Sequence, residues 1–211
     1  MDTNKEIFKK YGLTMDEHTR MPIEIPNIRR SDLPSLFEEL GFNVGAEIGV
    51  LRGEFSEMLC QGNPNLKLHC VDPWELYEGY DDYGTRDLEN YREEAIKRLA
   101  QYDCGIIQKY SLDALSDFED NSLDFVYLDA NHSFQSVIND VCGWLKKVRR
   151  GGIISGHDYR RYVDLDVHQH VVEAISGYTY AYKIRPWFVI GEKKAVRGNR
   201  DKERSWMWVK Q

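Results

Sequence analysis

The stretch Val44-Gly45-Ala46-Glu47-Ile48-Gly49-Val50-Leu51-Arg52-Gly53 constrains the fold more than any other part of the chain. Its apolar run from Val44 to Val50 reads as a buried strand. Gly49 and Gly53 bracket a tight turn, and Glu54 to Leu59 opens a helix directly after it. Strand, glycine turn and helix N-terminus form the mononucleotide-binding start of a doubly wound α/β sheet, where backbone approaches a ligand closely. The glycines are spaced Gly-x-x-x-Gly, with Glu47 two residues ahead of the first. Pyrophosphate binding uses Gly-x-Gly-x-x-Gly, which wraps two phosphates against a helix N-terminus. A carboxylate at a strand end repels a pyrophosphate and suits a cation, so Glu47 points toward an amino-acid-like or sulfonium group. An ordinary strand-turn-helix corner uses the same glycines, and the stretch alone does not decide between corner and site.

The strands that follow repeat the pattern of an acid at the end. Leu66 to Asp72 is a second strand, and Asp72 lies about 20 residues past Gly49, where a nucleotide site places its ribose-binding carboxylate. Trp74 then either lies over an adenine face or packs in the core. Cys104 to Lys109 is a third strand. Ser111 after it either approaches the adenine edge or caps a helix from Leu112 to Phe118. Ser122 to Asp129 is a fourth strand, Ala130-Asn131-His132 makes the turn, and Ser133 caps a helix running to about Lys147. Arg150-Gly151-Gly152 turns into a fifth strand, Ile153 to Ser155, which ends in Gly156-His157-Asp158-Tyr159. Glu47, Asp72, Asp129 and His157-Asp158 thus stand at strand ends, on the side where open α/β sheets bind ligands. A helix from about Asp166 to Ser176, strands near Tyr180 to Ile190 and Trp206 to Lys210, and a surface hairpin loop over Glu192 to Arg204 complete the pattern. The expected fold is α/β, a doubly wound Rossmann-like sheet of seven strands, mostly parallel with an antiparallel last strand, and helices on both faces.

At 211 residues the chain fits one domain with an extension, divided as an N-terminal arm and cap helix over 1–41 and a main domain over 42–211. Pro22 and Pro26 break Met21 to Pro26 into an extended segment that covers an active site, meets a dimer partner or packs on the surface. Ser31 caps a short helix from Asp32 to Leu40, ended by Gly41. Glu75 to Arg86 is an acidic, aromatic loop, either a substrate lid or a solvated insertion. Its Tyr77, Tyr80 and Tyr83, with Tyr159, suit stacking on a sugar or aromatic ring, or a homodimer interface. The net charge of −7 disfavours a nucleic-acid partner. Basic clusters (Arg29-Arg30, Lys146-Lys147, Arg149-Arg150, Arg160-Arg161) read as solvated helix ends and loops. No apolar run is long enough to span a membrane, and the N-terminus lacks the apolar core of a signal peptide. Cys60, Cys70, Cys104 and Cys142 show no Cys-x-x-Cys pair and read as reduced thiols, so the expected location is cytoplasmic.

From about residue 42 onward the chain resembles the class I S-adenosylmethionine-dependent methyltransferases, in particular the small-molecule O-methyltransferases of catechol, natural-product and sugar type. The resemblance rests on Glu47-Ile-Gly49-Val-Leu-Arg-Gly53, Val71-Asp72-Pro73-Trp74, Leu128-Asp129-Ala-Asn-His132 and Gly151-Gly152-Ile-Ile-Ser-Gly156-His157-Asp158-Tyr159. It implies S-adenosylmethionine as cofactor. Glu47, Gly49 and Gly53 then approach the methionine part, Asp72 the ribose hydroxyls, and Trp74 with Ser111 the adenine, with Asp129 bordering the same site. Catechol-type relatives hold Mg²⁺ with an Asp after strand four and an Asp-Asn pair after strand five, and a base three positions past the first Asp. Asp129 fits the first position, His157-Asp158 the pair, and His132 the base. The match departs twice, since His157 replaces an oxygen ligand and His132 replaces a lysine. The implied catalytic set is His132, Asp129 and His157, and the implied metal set is Asp129, His157 and Asp158. An imidazole moves preference from Mg²⁺ toward Mn²⁺ and other transition ions. Without a metal, His132 or His157 serves as base with Asp158 orienting it, or His157 and Asp158 merely tie down their loop. His132 has an ordinary pKa of about 6.5, suited to proton uptake near neutrality. His168 and His170, two apart on a helix, point to different faces and read as surface.

The implied activity is methyl transfer from S-adenosylmethionine to an oxygen of a small polar acceptor. Its pocket is expected from the 75–86 loop, the N-terminal arm and the segment after Tyr159. A nicotinamide-dependent oxidoreductase would need the Gly-x-Gly-x-x-Gly that the chain lacks. The intact Glu47, Gly49, Asp72 and Asp129 speak against a non-catalytic S-adenosylmethionine-binding scaffold, a degenerate methyltransferase.

Overall fold

Apolar runs beginning near Val44, Leu66, Cys104 and Leu123 become four neighbouring parallel strands, and helices close over both faces. The computed structural model describes residues 2–76, 87–161, 169–192 and 204–211. Its elements are α1 (Thr3–Tyr11), β1 (Ile23–Ile25), a 3-10 turn (Arg30–Asp32), α2 (Leu33–Glu39), β2 (Val44–Ile48), α3 (Glu54–Gly62), β3 (Lys67–Val71) and α4 (Leu88–Leu99). Then come β4 (Cys104–Ile107), α5 (Ser111–Ala114), a second 3-10 turn (Leu115–Asp117), β5 (Leu123–Leu128), α6 (Phe134–Lys147), β6 (Val148–Gly156), α7 (Val171–Ala181), β7 (Phe188–Ile190) and β8 (Ser205–Val209).

Among the described residues the sheet has eight strands, in the order β1-β7-β8-β6-β5-β2-β3-β4. Of these, only β8 runs antiparallel, against both β6 and β7. The strand beyond the expected seven is β1, the segment between Pro22 and Pro26, which adds parallel to β7 at the sheet edge with Ile23 opposite Phe188. Three residues are too few to show a period, and flanking prolines are tolerated at an edge. Residues 2–41 share the core of the sheet: Ile7, Leu33 and Phe37 are buried in one cluster with Phe125 and Phe188. Phe37 stacks on Phe125 at 4.1 Å, and the Thr3 hydroxyl donates to the Gly151 carbonyl at 2.6 Å. The second core, on the other face, is built around Trp144, Val126, Ile154 and Ile175.

Local expectations met the structure unevenly. Ser133 caps α6, accepting the Ser136 N–H. Asp32 rather than Ser31 precedes α2, because the chain first makes the Arg30–Asp32 turn, whose Asp32 carboxylate accepts the Arg29 N–H at 2.7 Å. Tyr110 rather than Ser111 precedes α5, and Ser111 turns its hydroxyl inward. The strand expected from Tyr180 shortens to β7, because α7 runs on to Ala181 and Tyr178 stacks on Trp208 at 5.9 Å. Tyr178 is buried and anchors the helix, while Tyr180 and Tyr182 stay exposed at its end. The start of the helix expected at Asp166, most of the 75–86 loop with Tyr77, Tyr80 and Tyr83, the residue His168 and most of the 192–204 hairpin loop lie outside the described residues. Among the described residues, no helix is long and apolar enough to cross a membrane.

From β2 the chain continues to β3 and β4 on one side, then returns as β5 on the other. The order therefore reverses between β2 and β5, and the crevice of a doubly wound sheet opens at their carboxyl ends. Glu47, Gly49, Asp72, Asp129 and His157 all lie at or just past these ends.

Candidate active site

At the β2–β3 end the side chains serve the backbone of the glycine turn. Gly49 has φ 91°, and a Cβ there would collide with the Asp129 carbonyl. Only glycine lets the two strand ends close, with Asp129 N–H donating to Ile48 O at 2.7 Å. Gly53, at φ 72°, is the left-handed residue from which α3 starts. The Asp72 carboxylate accepts three backbone N–H groups: Val50 and Leu51 on one oxygen, each at 2.9 Å, and Trp74 on the other at 2.7 Å. Burial raises its pKa, and these bonds work in the opposite sense. Trp74 is buried, and its indole N–H donates to Leu51 O at 2.7 Å, so it braces the same turn from the other side. Ser111 donates to the Asp140 carboxylate and accepts the Trp144 indole N–H at 2.9 Å. Its hydroxyl is thus committed to the α5–α6 contact. Burial pushes Asp140 up to about 6.

Glu47 is 2% exposed. Its carboxyl accepts the Ser56 hydroxyl from α3. Burial pushes its pKa up to about 8; the Ser56 bond and Arg30 oppose the shift, and the Asp129 and Asp72 charges add to it. The free protein therefore holds Glu47 largely protonated at neutral pH.

At the β5–β6 end the side chains face one another. His132 Nε2 stands 2.9 Å from Asp158 Oδ2 and 3.7 Å from Asp129 Oδ1. His157 Nδ1 stands 3.4 Å from the same Asp158 oxygen and 3.7 Å from Asp129 Oδ2. All four groups proposed from the sequence for catalysis and metal binding converge here. Burial alone would raise the Asp158 carboxyl, but hydrogen bonds and charge from His132 and His157 outweigh it and hold the pKa well below the usual range. Asp158 itself sits at φ 54°, a left-handed backbone that turns its side chain back toward His132. Behind the turn, the His170 N–H donates to His132 O at 2.8 Å and ties the loop to the start of α7.

The structure adds one residue that sequence reading assigned to the solvated surface. Arg30 Nη1 lies 3.2 Å from Asp129 Oδ2, and its guanidinium rests 5.2 Å from the centre of the Phe55 ring. Nothing local marks Arg30, which arrives from the N-terminal segment. A cluster of acids wanting a counter-charge was the signal that could have found it. Among the described residues, Asp129, His132 and Asp158 form the group whose donor atoms lie mutually within 4.8 Å, close enough to share a cation. A cavity of about 20 Å³, room for a single water, touches His132, His157, Asp140 and Trp206. A larger one, about 370 Å³, is lined by Met21, Pro22, Thr179, Tyr180 and Trp187 and by none of the site residues.

A doubly wound sheet with a glycine turn at its first switch-point strand, and acids and imidazoles at the ends of the next strands, defines a nucleotide-cofactor α/β protein with acid–base side chains at its crevice. A family model described as a methyltransferase domain matches residues 46–159, more than half of the chain, and the chain belongs to that family. The match runs from β2 to just past Asp158 and leaves out Arg30. An uncharacterised protein of Acanthamoeba polyphaga mimivirus is 28% identical over 121 residues, 55% of this chain and 51% of that protein. The chain therefore spans about half the length of this curated relative. Among solved structures, the O-methyltransferase from Bacillus cereus in complex with SAH is similar at TM-score 0.59 and 18% identity, over 99% of this chain and 90% of that one. The O-methyltransferase TomG from Streptomyces achromogenes, involved in tomaymycin synthesis and in complex with SAM, matches at TM-score 0.59 and 18% identity, over 100% and 90%. At these identities the likeness is one of fold.

Proposed function

We propose that the chain transfers a methyl group from S-adenosylmethionine to an oxygen of a small polar acceptor, with His132 as the base. The observation that carries this reading is the convergence of His132, Asp158, Asp129 and His157 beside the turn held by Asp72. The family membership and the O-methyltransferases of like fold, crystallised with SAM or SAH, support it.

The cofactor end fits its ligand in type. Asp72 Oδ1 carries one N–H where a carboxylate oxygen accepts two, so capacity remains for a ribose hydroxyl. Glu47 would meet the ammonium of the methionine part, the Gly49–Gly53 turn its backbone, and Trp74 and Ser111 the adenine through ring face and helix start. S-adenosylmethionine supplies a methyl on a sulfonium, which an acceptor oxygen displaces in line.

At the reacting end, ionised Asp158 at 2.9 Å requires a proton on His132 Nε2, so the accepting nitrogen of the neutral ring is Nδ1. Asp158 orients the ring, and with Asp129 stabilises the imidazolium formed when the acceptor hydroxyl loses its proton. The donor set also fits a divalent ion, held by Asp129 and Asp158 with His132 or His157, which would acidify a bound hydroxyl. Arg30 already places a positive charge against Asp129, which favours the metal-free reading.

Calorimetric titration with S-adenosylhomocysteine and with NAD⁺, followed by methyl transfer to a panel of hydroxyl and amine acceptors with and without EDTA, tests the reading. Binding of the first ligand only, with hydroxyl acceptors turned over, is expected. No binding of S-adenosylhomocysteine would end the cofactor assignment, and turnover of amines alone would end the oxygen assignment.

A further inference from the structure

Behind the glycine turn, on the sheet face covered by α3, three of the four cysteines meet. Cys60 lies near the end of α3, Cys70 in β3 and Cys104 at the start of β4. The Cys60 and Cys104 sulfurs are 3.4 Å apart. Cys70 lies beside this pair in β3, two residues past the partner of Cys104, and its thiol donates to the Ser56 hydroxyl at 3.5 Å, which itself donates to Glu47. Polar contacts therefore join Cys70 to the buried acid of the cofactor end. The methyl-transfer chemistry proposed above uses none of these sulfurs.

Isolated buried cysteines usually act as small hydrophobes. Here Cys60 and Cys104 meet sulfur to sulfur, and the three are unequal. Cys60 and Cys70 are buried, while Cys104 is only partly buried, the most accessible of the three. Hydrogen bonds from Cys60 and Cys70 hold the Cys104 thiol below its ordinary pKa against the effect of burial. Sharing with Cys104, then burial, push the other two up. Cys104 is thus the nucleophile of the group.

We propose that Cys104 and Cys60 form a reversible disulfide on exposure to a peroxide, and that this bond, by drawing α3 toward β4, weakens the cofactor end at Ser56 and Glu47. The second half of this statement rests on the cofactor reading above.

Strand register selects the pair. Cys104 is opposite Leu68, and Cys70 lies two residues further along β3 on the same face. Strand spacing and rise put the Cys104 and Cys70 Cα atoms about 8 Å apart, beyond the roughly 7 Å a disulfide tolerates. Cys60 sits on a helix free of that register, and its sulfur needs to close only from contact distance to a bond of about 2.05 Å. In the reaction the Cys104 thiolate attacks one peroxide oxygen, the O–O bond breaks, and a sulfenic acid and hydroxide form. Cys60 then attacks the sulfenyl sulfur, the S–O bond breaks and the S–S bond forms. Two thiols and one hydrogen peroxide become one disulfide and two waters, the peroxide taking both electrons. A dithiol reverses the bond by exchange.

The test treats the whole protein with hydrogen peroxide, blocks remaining thiols with N-ethylmaleimide and maps the peptides by mass. A Cys60–Cys104 linked peptide, with Cys70 and the exposed, separate Cys142 alkylated, is expected, and dithiothreitol should remove it. A Cys70–Cys104 link, or over-oxidised Cys104 with no link, overturns the pairing. S-adenosylhomocysteine affinity should fall by about tenfold on oxidation, within the usual range of coupling between sites, and recover on reduction. Cys60→Ser protein should keep its affinity through the same treatment. A linked peptide with unchanged affinity overturns the coupling to Glu47. If even the reduced protein fails to bind S-adenosylhomocysteine, the cofactor reading fails while the peptide map still decides the disulfide.

Discussion

The two ends of the crevice are built on opposite plans. At the β2–β3 end, Asp72 and Trp74 spend their polar atoms on the chain's own backbone, and Glu47 is sealed against Ser56. At the β5–β6 end, the side chains of Asp129, His132, His157 and Asp158 face each other, while backbone bonds such as His157 N–H to Leu128 O and His170 N–H to His132 O hold the chain behind them. The first is a frame, in which each hydrogen bond fixes the path of a turn. The second is a balance of charges, in which each group is held by the field of the others. A frame tolerates little change in shape, while a balance tolerates little change in charge. On the function proposed above, ligand recognition and proton handling fall to different strands, and substitutions should separate them.

The sharpest separation is expected from His132→Ala. Removing a general base costs about 10²–10⁴-fold in turnover. The frame is not touched, so S-adenosylhomocysteine affinity by calorimetry should stay within error of wild type. Asp158→Asn should follow the same pattern more mildly, since it misorients the ring without deleting it. Loss of cofactor affinity in His132→Ala would show that the two ends form a single unit, and unchanged turnover would remove His132 from the chemistry.

The frame was readable in advance and the balance only in part. Asp72 and Asp129 each close an apolar run, and Glu47 stands two residues ahead of the glycine turn, so all three announce themselves by their place in the repeat. The resemblance to catechol-type relatives places His132 and His157-Asp158 relative to Asp129. It leaves open which imidazole Asp158 holds, because the left-handed turn at Asp158 sets that. Ser111 and Trp74 read as adenine contacts by position, yet their polar atoms face inward, a choice made by neighbours such as Asp140 and Leu51 that are distant in sequence. The eighth strand escaped because three residues between prolines carry no period. Arg30 escaped for a related reason: its meaning depends on a partner 99 residues away.

Glu47 offers a smaller effect that sharpens the contrast through pH. Its folded pKa of about 8 lies above the ordinary 4.5, so the folded chain keeps a proton that the unfolded chain releases. The associated stability is complete below the ordinary value and is lost as pH rises toward about 8. Glu47→Gln should flatten the dependence of Tm on pH across that window. If Glu47 meets a ligand ammonium, it must ionise on binding, and S-adenosylhomocysteine should release close to one proton at neutral pH. Titrations in buffers of different ionisation enthalpy read this directly. Heats that do not vary with buffer would place the ammonium elsewhere. The substitution itself should weaken binding by about tenfold, the value of one charge-assisted hydrogen bond of about 1.5 kcal/mol.

Arg30 should give the smallest effect, and it tests whether the N-terminal segment belongs to the balance or only covers it. Its guanidinium is partly exposed, so the pair with Asp129 is discounted for solvent to about 1 kcal/mol, or roughly fivefold. Arg30→Ala leaves Asp129 and Asp158 less compensated beside His132, which favours the protonated ring. The acidic limb of the pH–rate profile should therefore move upward, and Arg30→Lys should bring most of it back, since a lysine keeps the charge and loses only the guanidinium's contact with Phe55. A merely structural role would lower Tm and leave the profile in place. A shifted profile with an unchanged Tm would bring Arg30 into the chemistry from outside the matched methyltransferase domain, and would make the edge strand β1 the device that carries it there.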